Sequence, residues 1–154
     1  MGFVLNHPVE KPTFRSILEE LNVISDPVVK AERLENMEVF RGGPVEQGRG
    51  FVIHTLDYGS SNTSRVGSLC GVSGTLDALK RIASSNPPAR SLMVLGYAGW
   101  SAGQLEKEIA ENGWLTVDAT STLVFDTEHS KKYDEALAIL GITESMLSSI
   151  SGHA

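Results

Sequence analysis

The sequence predicts an α+β fold, a mixed and largely antiparallel sheet with helices, and three observations predict it. Several β-prone segments follow one another between residues 37 and 72, which favours antiparallel pairing over βαβ alternation. Apolar residues recur at helical spacing before and after that run. The chain has 154 residues, 41% of them hydrophobic, which suits one domain with a real core and argues against disorder. With no repeat, low-complexity tract or linker in view, residues 1–154 are expected to form a single domain.

The elements follow in order. Gly2-Phe3-Val4-Leu5 is short, apolar and β-prone, and Asn6-His7-Pro8 ends it. Thr13 is an N-cap for a helix that places Phe14, Ile17, Leu18 and Leu21 on one face. Residues 25–36 show no clean period; Asp26-Pro27 opens a loop, and Lys30, Glu32, Arg33 and Glu35 keep it solvated. Met37–Phe40 is a strand closed by Gly42-Gly43-Pro44. Gly50–Thr55 is a second, with Phe51 and Ile53 on one face and Val52 and His54 on the other. Ser64–Val72 is a third, and Gly67 and Gly71 within it suggest a bulge or a close backbone approach.

In the second half, Ser73 or Thr75 caps a helix carrying Leu76, Leu79, Ile82 and Ala83. Asp77 in its first turn and Lys80-Arg81 in its last suit the helix dipole, and Asn86-Pro87-Pro88 stops it. Arg90–Leu95 is a strand. Ser101 and Gln104 have capping-box spacing, ahead of a helix with Leu105 and Ile109 that ends near Gly113 as its C′ residue. Trp114–Val117 and Thr122–Phe125 are expected as short strands. A last helix aligns Tyr133, Ala136, Leu137 and Leu140, stops at Gly141, and is followed by a short tail helix from Thr143.

Charge and composition exclude some functions. The net charge is −6 and the pI about 5.2. A nucleic-acid binder normally concentrates cations to neutralise phosphates, whereas here only Lys80-Arg81 and Lys131-Lys132 are adjacent, both in helical patterns. Nucleic acid is therefore not an expected partner. No apolar run approaches the ~20 residues that span a bilayer, and the start lacks a signal peptide's basic region and cleavage site. The lone Cys70 excludes an intrachain disulfide, so the expected location is the cytoplasm, with no membrane association.

Arg41-Gly42-Gly43-Pro44-Val45, followed by Arg49-Gly50-Phe51-Val52-Ile53-His54, resembles the central motif of the AlgH/YqgE family of bacterial proteins. Leu95-Gly96-Tyr97-Ala98-Gly99-Trp100, Gly103-Gln104-Leu105-Glu106, Asn112-Gly113-Trp114-Leu115 and the ending Ser151-Gly152-His153-Ala154 match in the same order. The resemblance implies a mixed sheet curled into a partial barrel with helices outside. It implies no agreed catalytic residues, although some members are named transcriptional regulators. Such proteins begin earlier, so this chain is expected to lack one or two leading strands of ~5–6 residues. The unpaired strand edge left behind would favour self-association.

The candidate ligand-binding residues are Gly42, Gly43, Arg49, His54, Trp100, Ser101 and Gln104. The Gly42-Gly43-Pro44 turn could form an anion-holding nest with Arg49, or could be a turn whose glycines supply positive φ. Gly96-Tyr97-Ala98-Gly99 sits where a nucleophile elbow would, but Ala98 carries no nucleophile, and Ser101 is better explained as a cap. His54 has no metal-ligand partner at fitting spacing, and Cys70 fits a small buried hydrophobe. Trp100 and Trp114 flank one helix, as structural pins or as walls of a groove. No complete catalytic constellation and no cofactor motif is legible. The function expected is that of a non-enzymatic cytoplasmic domain, open to a regulatory role, that binds a small anionic ligand or a protein partner. The alternatives are an enzyme with a polar pocket near Arg49 and His54, and a regulator acting directly on DNA, for which no helix-turn-helix with a basic recognition helix is seen.

Overall fold

In the first half of the chain, the predicted helix forms as α1, Phe14–Glu20. The Thr13 side chain accepts the Ser16 N–H at 3.2 Å, and Phe14, Ile17 and Leu18 are buried. Leu21 lies at the C-cap, past the buried stripe, and is exposed. A short α2, Glu32–Asn36, is tied to α1 by Arg15, which donates to Glu19 at 2.9 Å and to Glu35 at 2.8 Å. The computed structural model describes residues 1–24, 32–143 and 145–147. The Asp26-Pro27 loop, Lys30 and the ending Ser151–Ala154 lie outside those residues, and the tail helix expected from Thr143 lies partly outside. The chain forms two compact units, Met1–Gly99 and Trp100–Ala154.

The first unit is built on five strands: β1 Val39–Arg41, β2 Val45–His54, β3 Thr63–Val66, β4 Cys70–Ser73 and β5 Ser91–Tyr97. Their order is β1-β5-β2-β4-β3. β1 and β5 are parallel, and the other three pairings are antiparallel. The predicted α+β class and mixed, largely antiparallel sheet are therefore present, but the sheet is not closed into a barrel. The single strand expected at Ser64–Val72 is instead a hairpin of β3 and β4, because Gly67 at φ +54° turns the chain back. α3, Leu76–Ala83, follows β4, with Thr75 rather than Ser73 at its N-cap.

Both faces of the central strands are buried. On one, Val39, Val52 and Met93 pack with Phe14, Ile17 and Leu18 of α1 and with Ala78, Leu79 and Ile82 of α3. On the other, Phe40, Phe51, Ile53 and Val94 are buried, and Phe3 lies against Phe51 with ring centroids 5.1 Å apart. Alternation along β2 is as the sequence predicts, but neither side faces water at its C-terminal half.

The expected first strand, Gly2–Leu5, makes no ladder of its own. Gly2 and Ala98 exchange two backbone hydrogen bonds at 2.9 Å, and the Val4 N–H donates to the Gly42 carbonyl at 2.8 Å. Residues 7–9 continue along the outer side of β1, where the Arg41 N–H reaches the His7 carbonyl and the Val9 N–H reaches the Val39 carbonyl, each at 2.8 Å. That edge of the sheet is thereby paired.

The same region explains three glycines. A Cβ on Gly43 would lie 2.1 Å from the Tyr97 carbonyl carbon, and one on Gly42 would lie 2.4 Å from the Gly96 carbonyl oxygen. Gly96 itself adopts φ +72°, and its Cβ would meet the Gly43 oxygen at 2.7 Å. Gly42 and Gly43 do not supply the positive φ expected of them; they permit two backbones to cross in contact.

The second unit has a different texture. α4, Gln104–Ala110, starts at Gln104 with Gly103 as N-cap, so Ser101 lies before the cap rather than at it. Half of the predicted capping box survives: the Gln104 side-chain oxygen accepts the Ser101 N–H at 2.9 Å. The helix ends in a Schellman motif with Asn112, φ +58°, at C′ and Gly113 one place later, its N–H donating to the Glu108 carbonyl at 2.8 Å.

Trp114–Val117 forms no strand, and Thr122–Phe125 lies in a π-helical turn, Thr122–Asp126. Short apolar runs do not distinguish strand from helix, and here a buried lysine decides. Lys132 donates to the carbonyls of Leu123 at 2.9 Å and Val124 at 2.7 Å, satisfying the turn's backbone. α5, Lys132–Ile139, closes on Gly141 at φ +72°, as predicted. Of its expected stripe, Leu137 is buried while Tyr133 and Leu140 are exposed.

The glycine crossing is directly testable. Gly43→Ala should destabilise the protein by about 2–3 kcal/mol, since backbone must move to admit the methyl. Gly48→Ala, with nothing within 4 Å of its Cβ, should change stability by less than about 0.5 kcal/mol. Equal melting temperatures for the two variants would show that the crossing is not a constraint.

Candidate functional site

A cavity of about 510 Å³ lies in the first unit between α1, α3 and the sheet. Its floor is Val52, Met93 and Leu95, and its helical walls are Ile17, Leu21, Leu76 and Leu79. Two polar stretches complete it, Gln47–Gly50 on β2 and Ser73-Gly74-Thr75 at the junction of β4 and α3. Gly50 keeps the floor open, since a Cβ there would sit 2.5 Å from the Met93 methyl. The Thr75 hydroxyl is buried and has no hydrogen-bond partner among the described residues. α3 also gains no side-chain cap from Thr75.

Behind Ser73 runs a buried polar chain. Register sets it up: Ser73 pairs with Val52 on β2 and with Thr63 on β3, and His54 lies diagonally across from Ser73 on the same face. Gly71, opposite His54, makes room for the ring, because a Cβ there would be 2.6 Å from His54 Cε1. His54 Nδ1 is 2.9 Å from the Thr55 carbonyl and Nε2 is 3.0 Å from Ser73 Oγ. A carbonyl only accepts, so in the neutral ring Nδ1 carries the hydrogen and Nε2 accepts from Ser73. Thr63 Oγ1 lies 2.8 Å from Ser73 Oγ and accepts the Ser60 N–H at 3.0 Å, so its own hydrogen points to Ser73. His54 is 0% and Ser73 1% exposed, and every polar atom of the pair is bonded.

Asp57 stands beside this chain. It accepts the Thr55 hydroxyl and, at 2.8 Å, the Ala89 N–H. The Thr55 hydroxyl above all, then the Ala89 N–H and Asp57's own backbone N–H, hold its carboxyl below the usual range against partial desolvation.

The sequence-derived candidates are placed as follows. Arg49 lines the cavity, pairs with Glu46 at 2.9 Å and lies 5.0 Å from the centroid of the Phe51 ring. That pairing lowers the Glu46 carboxyl's pKa. His54 is buried one residue behind the cavity wall, reaching it only through Ser73. Gly42 and Gly43 are sealed against residues 96–98 and do not line the cavity, so they offer no open nest to an anion. Trp100, Ser101 and Gln104 belong to the second unit.

In that unit Trp100, Gln104 and Trp114 all converge on one carboxylate. Glu108 accepts the Trp114 indole N–H at 2.7 Å, the Trp100 N–H at 3.1 Å and the Gln104 amide at 2.9 Å. The two indoles meet edge to face at 5.8 Å. Trp114, then Gln104 and Trp100, pull the Glu108 carboxyl below its ordinary range. The pinning role considered for the tryptophans is the one this geometry serves.

Sequence reasoning missed Ser73, Thr63, Thr75 and Glu108 as site residues. The sequence separation of nineteen between His54 and Ser73 hides their contact, which only the register creates. The local signal available was the small run Gly71-Val72-Ser73-Gly74 at a strand-to-helix junction.

The chain belongs to the AlgH-like family, whose model matches residues 1–145. A UPF0301 protein of Rhizobium etli is 44% identical over 156 aligned positions, covering 100% of this chain and 77% of its own. One from Jannaschia is 45% identical, covering 100% and 79%. The solution structure of the AlgH protein from Pseudomonas aeruginosa is similar with a TM-score of 0.75 at 35% identity, over 100% of this chain and 79% of that one. A Corynebacterium diphtheriae protein, at TM-score 0.61 and 19% identity over 86% of this chain and 66% of its own, shares the fold.

Glu108 can be followed optically, since the chain's two tryptophans both donate to it. A carboxyl with a lowered folded pKa contributes stability above its unfolded pKa and loses it as pH falls through the folded value. Tryptophan emission should therefore shift on acidification below the ordinary glutamate range near ~4.3. Glu108→Ala should show the shifted emission already at neutral pH. Identical emission of the variant and the parent across that range would show that the indoles are held by something else.

Proposed function

We propose that this AlgH-like protein is a cytoplasmic domain that binds a small molecule in the cavity between α1, α3 and the sheet, with any regulatory role running through that ligand. One observation carries the reading: a cavity of about 510 Å³ with an apolar floor holds an unpartnered buried hydroxyl, Thr75, in its wall. Ligand cavities are typically ~300–1,000 Å³, mostly apolar, with a few polar groups that orient the ligand. A buried polar atom without a partner costs roughly 1–3 kcal/mol, which a ligand group could recover.

The chemistry of the walls supports a ligand with an apolar body and a polar, preferably anionic, head. Val52, Leu79 and Met93 suit the body. Arg49 at the mouth suits the head, because its pair with Glu46 is solvent-exposed, weak and readily exchanged. Direct reading of DNA has less support. The net charge is −6, and the Lys132 ammonium, half of one of the two adjacent basic pairs, is occupied by backbone carbonyls.

A thermal-shift series with alkyl carboxylates and their neutral amides tests this reading. Saturating ligand at ~100-fold over Kd should stabilise the folded chain by about 2.7 kcal/mol. Leu76→Trp, at a half-exposed wall position, should abolish the shift while leaving the ligand-free Tm nearly unchanged. Arg49→Ala should remove the preference for carboxylate over amide. Ligand stabilisation that survives Leu76→Trp would place the binding site elsewhere.

A further inference from the structure

We propose that Ser73 is a nucleophile and His54 its general base, acting on carboxylic esters with an apolar acyl group bound in the cavity. The inference rests on the cavity being a ligand site. It adds the substrate class and the chemistry.

The geometry has the parts in order. Ser73 donates to His54 Nε2 at 3.0 Å, and the Thr55 carbonyl, 2.9 Å from Nδ1, holds the ring in the tautomer that can accept a proton. Thr63 donates to one lone pair of Ser73 Oγ and leaves the other for attack. Asp57, fixed by Thr55 and Ala89, places a negative charge near the ring as it becomes cationic. Ser73 also lines the cavity, on the face it shares with Val52 and Met93.

Two residues later Thr75 begins α3, an eight-residue helix with no side-chain cap. The Thr75 hydroxyl, without a partner among the described residues and carried by a residue of the same wall, is the donor nearest in sequence for a developing oxyanion. Ser73 lines the cavity and is only 1% exposed, so bulk water reaches it poorly.

The chemistry balances without a cofactor. Ser73 Oγ bonds to the ester carbonyl carbon, its proton passes to His54 Nε2, and the carbonyl π pair moves onto oxygen. Collapse breaks the bond to the alcohol oxygen, which takes the proton from Nε2 and leaves an acyl-Ser73. Water then attacks the acyl carbon, giving its proton to Nε2. The carboxylic acid departs as the proton returns to Ser73 Oγ. With water restricted, deacylation is slower than acylation and the acyl-enzyme accumulates.

The full chain, incubated with p-nitrophenyl butyrate, should release a burst of one p-nitrophenol per protein and gain one butyryl group by intact mass. Peptide mapping should place the group on Ser73. Ser73→Ala should abolish the adduct, and His54→Asn should slow acylation at least about a hundredfold. A non-hydrolysable propyl ketone, followed by thermal shift, reports binding alone. An adduct on any other residue, or no adduct while the ketone binds, overturns the nucleophile and leaves the cavity reading standing. Neither adduct nor ketone binding overturns both. If either variant fails to fold, the position of the adduct on the unaltered chain decides.

Discussion

The architecture of the first unit depends on one steric constraint: residues 42–43 cross residues 96–98 with no space for a side chain between them. The crossing joins the ends of β1 and β5, which run parallel, and so sets the frame on which β2 pairs. Gly2 and Val4 add their own backbone hydrogen bonds to Ala98 and Gly42, so three separate segments meet there. Interiors at crystalline density transmit such constraints, because a displacement of a few tenths of an ångström at one crossing has to be absorbed by its neighbours. The residues most suggestive of a ligand nest, Gly42 and Gly43, thus serve the protein's own chain.

The second constraint is polar. His54 and Ser73 lie fully inside the face that α1 and α3 cover, where an unpaired imidazole or hydroxyl would be costly. The cost is met by a one-directional sequence of donors, from the Ser60 amide through Thr63 and Ser73 to His54 and on to the Thr55 carbonyl. Gly71 is needed for it, since the ring occupies the space of a Cβ. A fully satisfied network of this kind specifies the register of β2, β3 and β4 more sharply than apolar packing does. It also fixes Ser73, a residue of the cavity wall, in place.

The second unit is organised around a different group. Glu108 gathers two indole N–H groups and an amide, which fixes the segment after α4 although that segment forms no strand. Lys132 plays the complementary part, a cation neutralised by two carbonyl dipoles of the π-helical turn. Membership of the AlgH-like family agrees with the fold and motif order, while the site's chemistry has to be argued from the residues themselves.

Local physics made α1, α3, α5, the C-terminal half of β2 and the position of β5 legible, because periodicity, Thr13 and Gly141 act within a few residues of where they stand. Motif order likewise identified the family. What could not be read was everything decided by pairing. One expected strand became the β3–β4 hairpin at Gly67, and another became a helical turn under Lys132. The cavity was invisible for the same reason. Its floor, its helical walls and the Ser73–His54 contact come from segments that are remote in sequence, and only the register of β2 against β4 and β5 brings them within reach of one another.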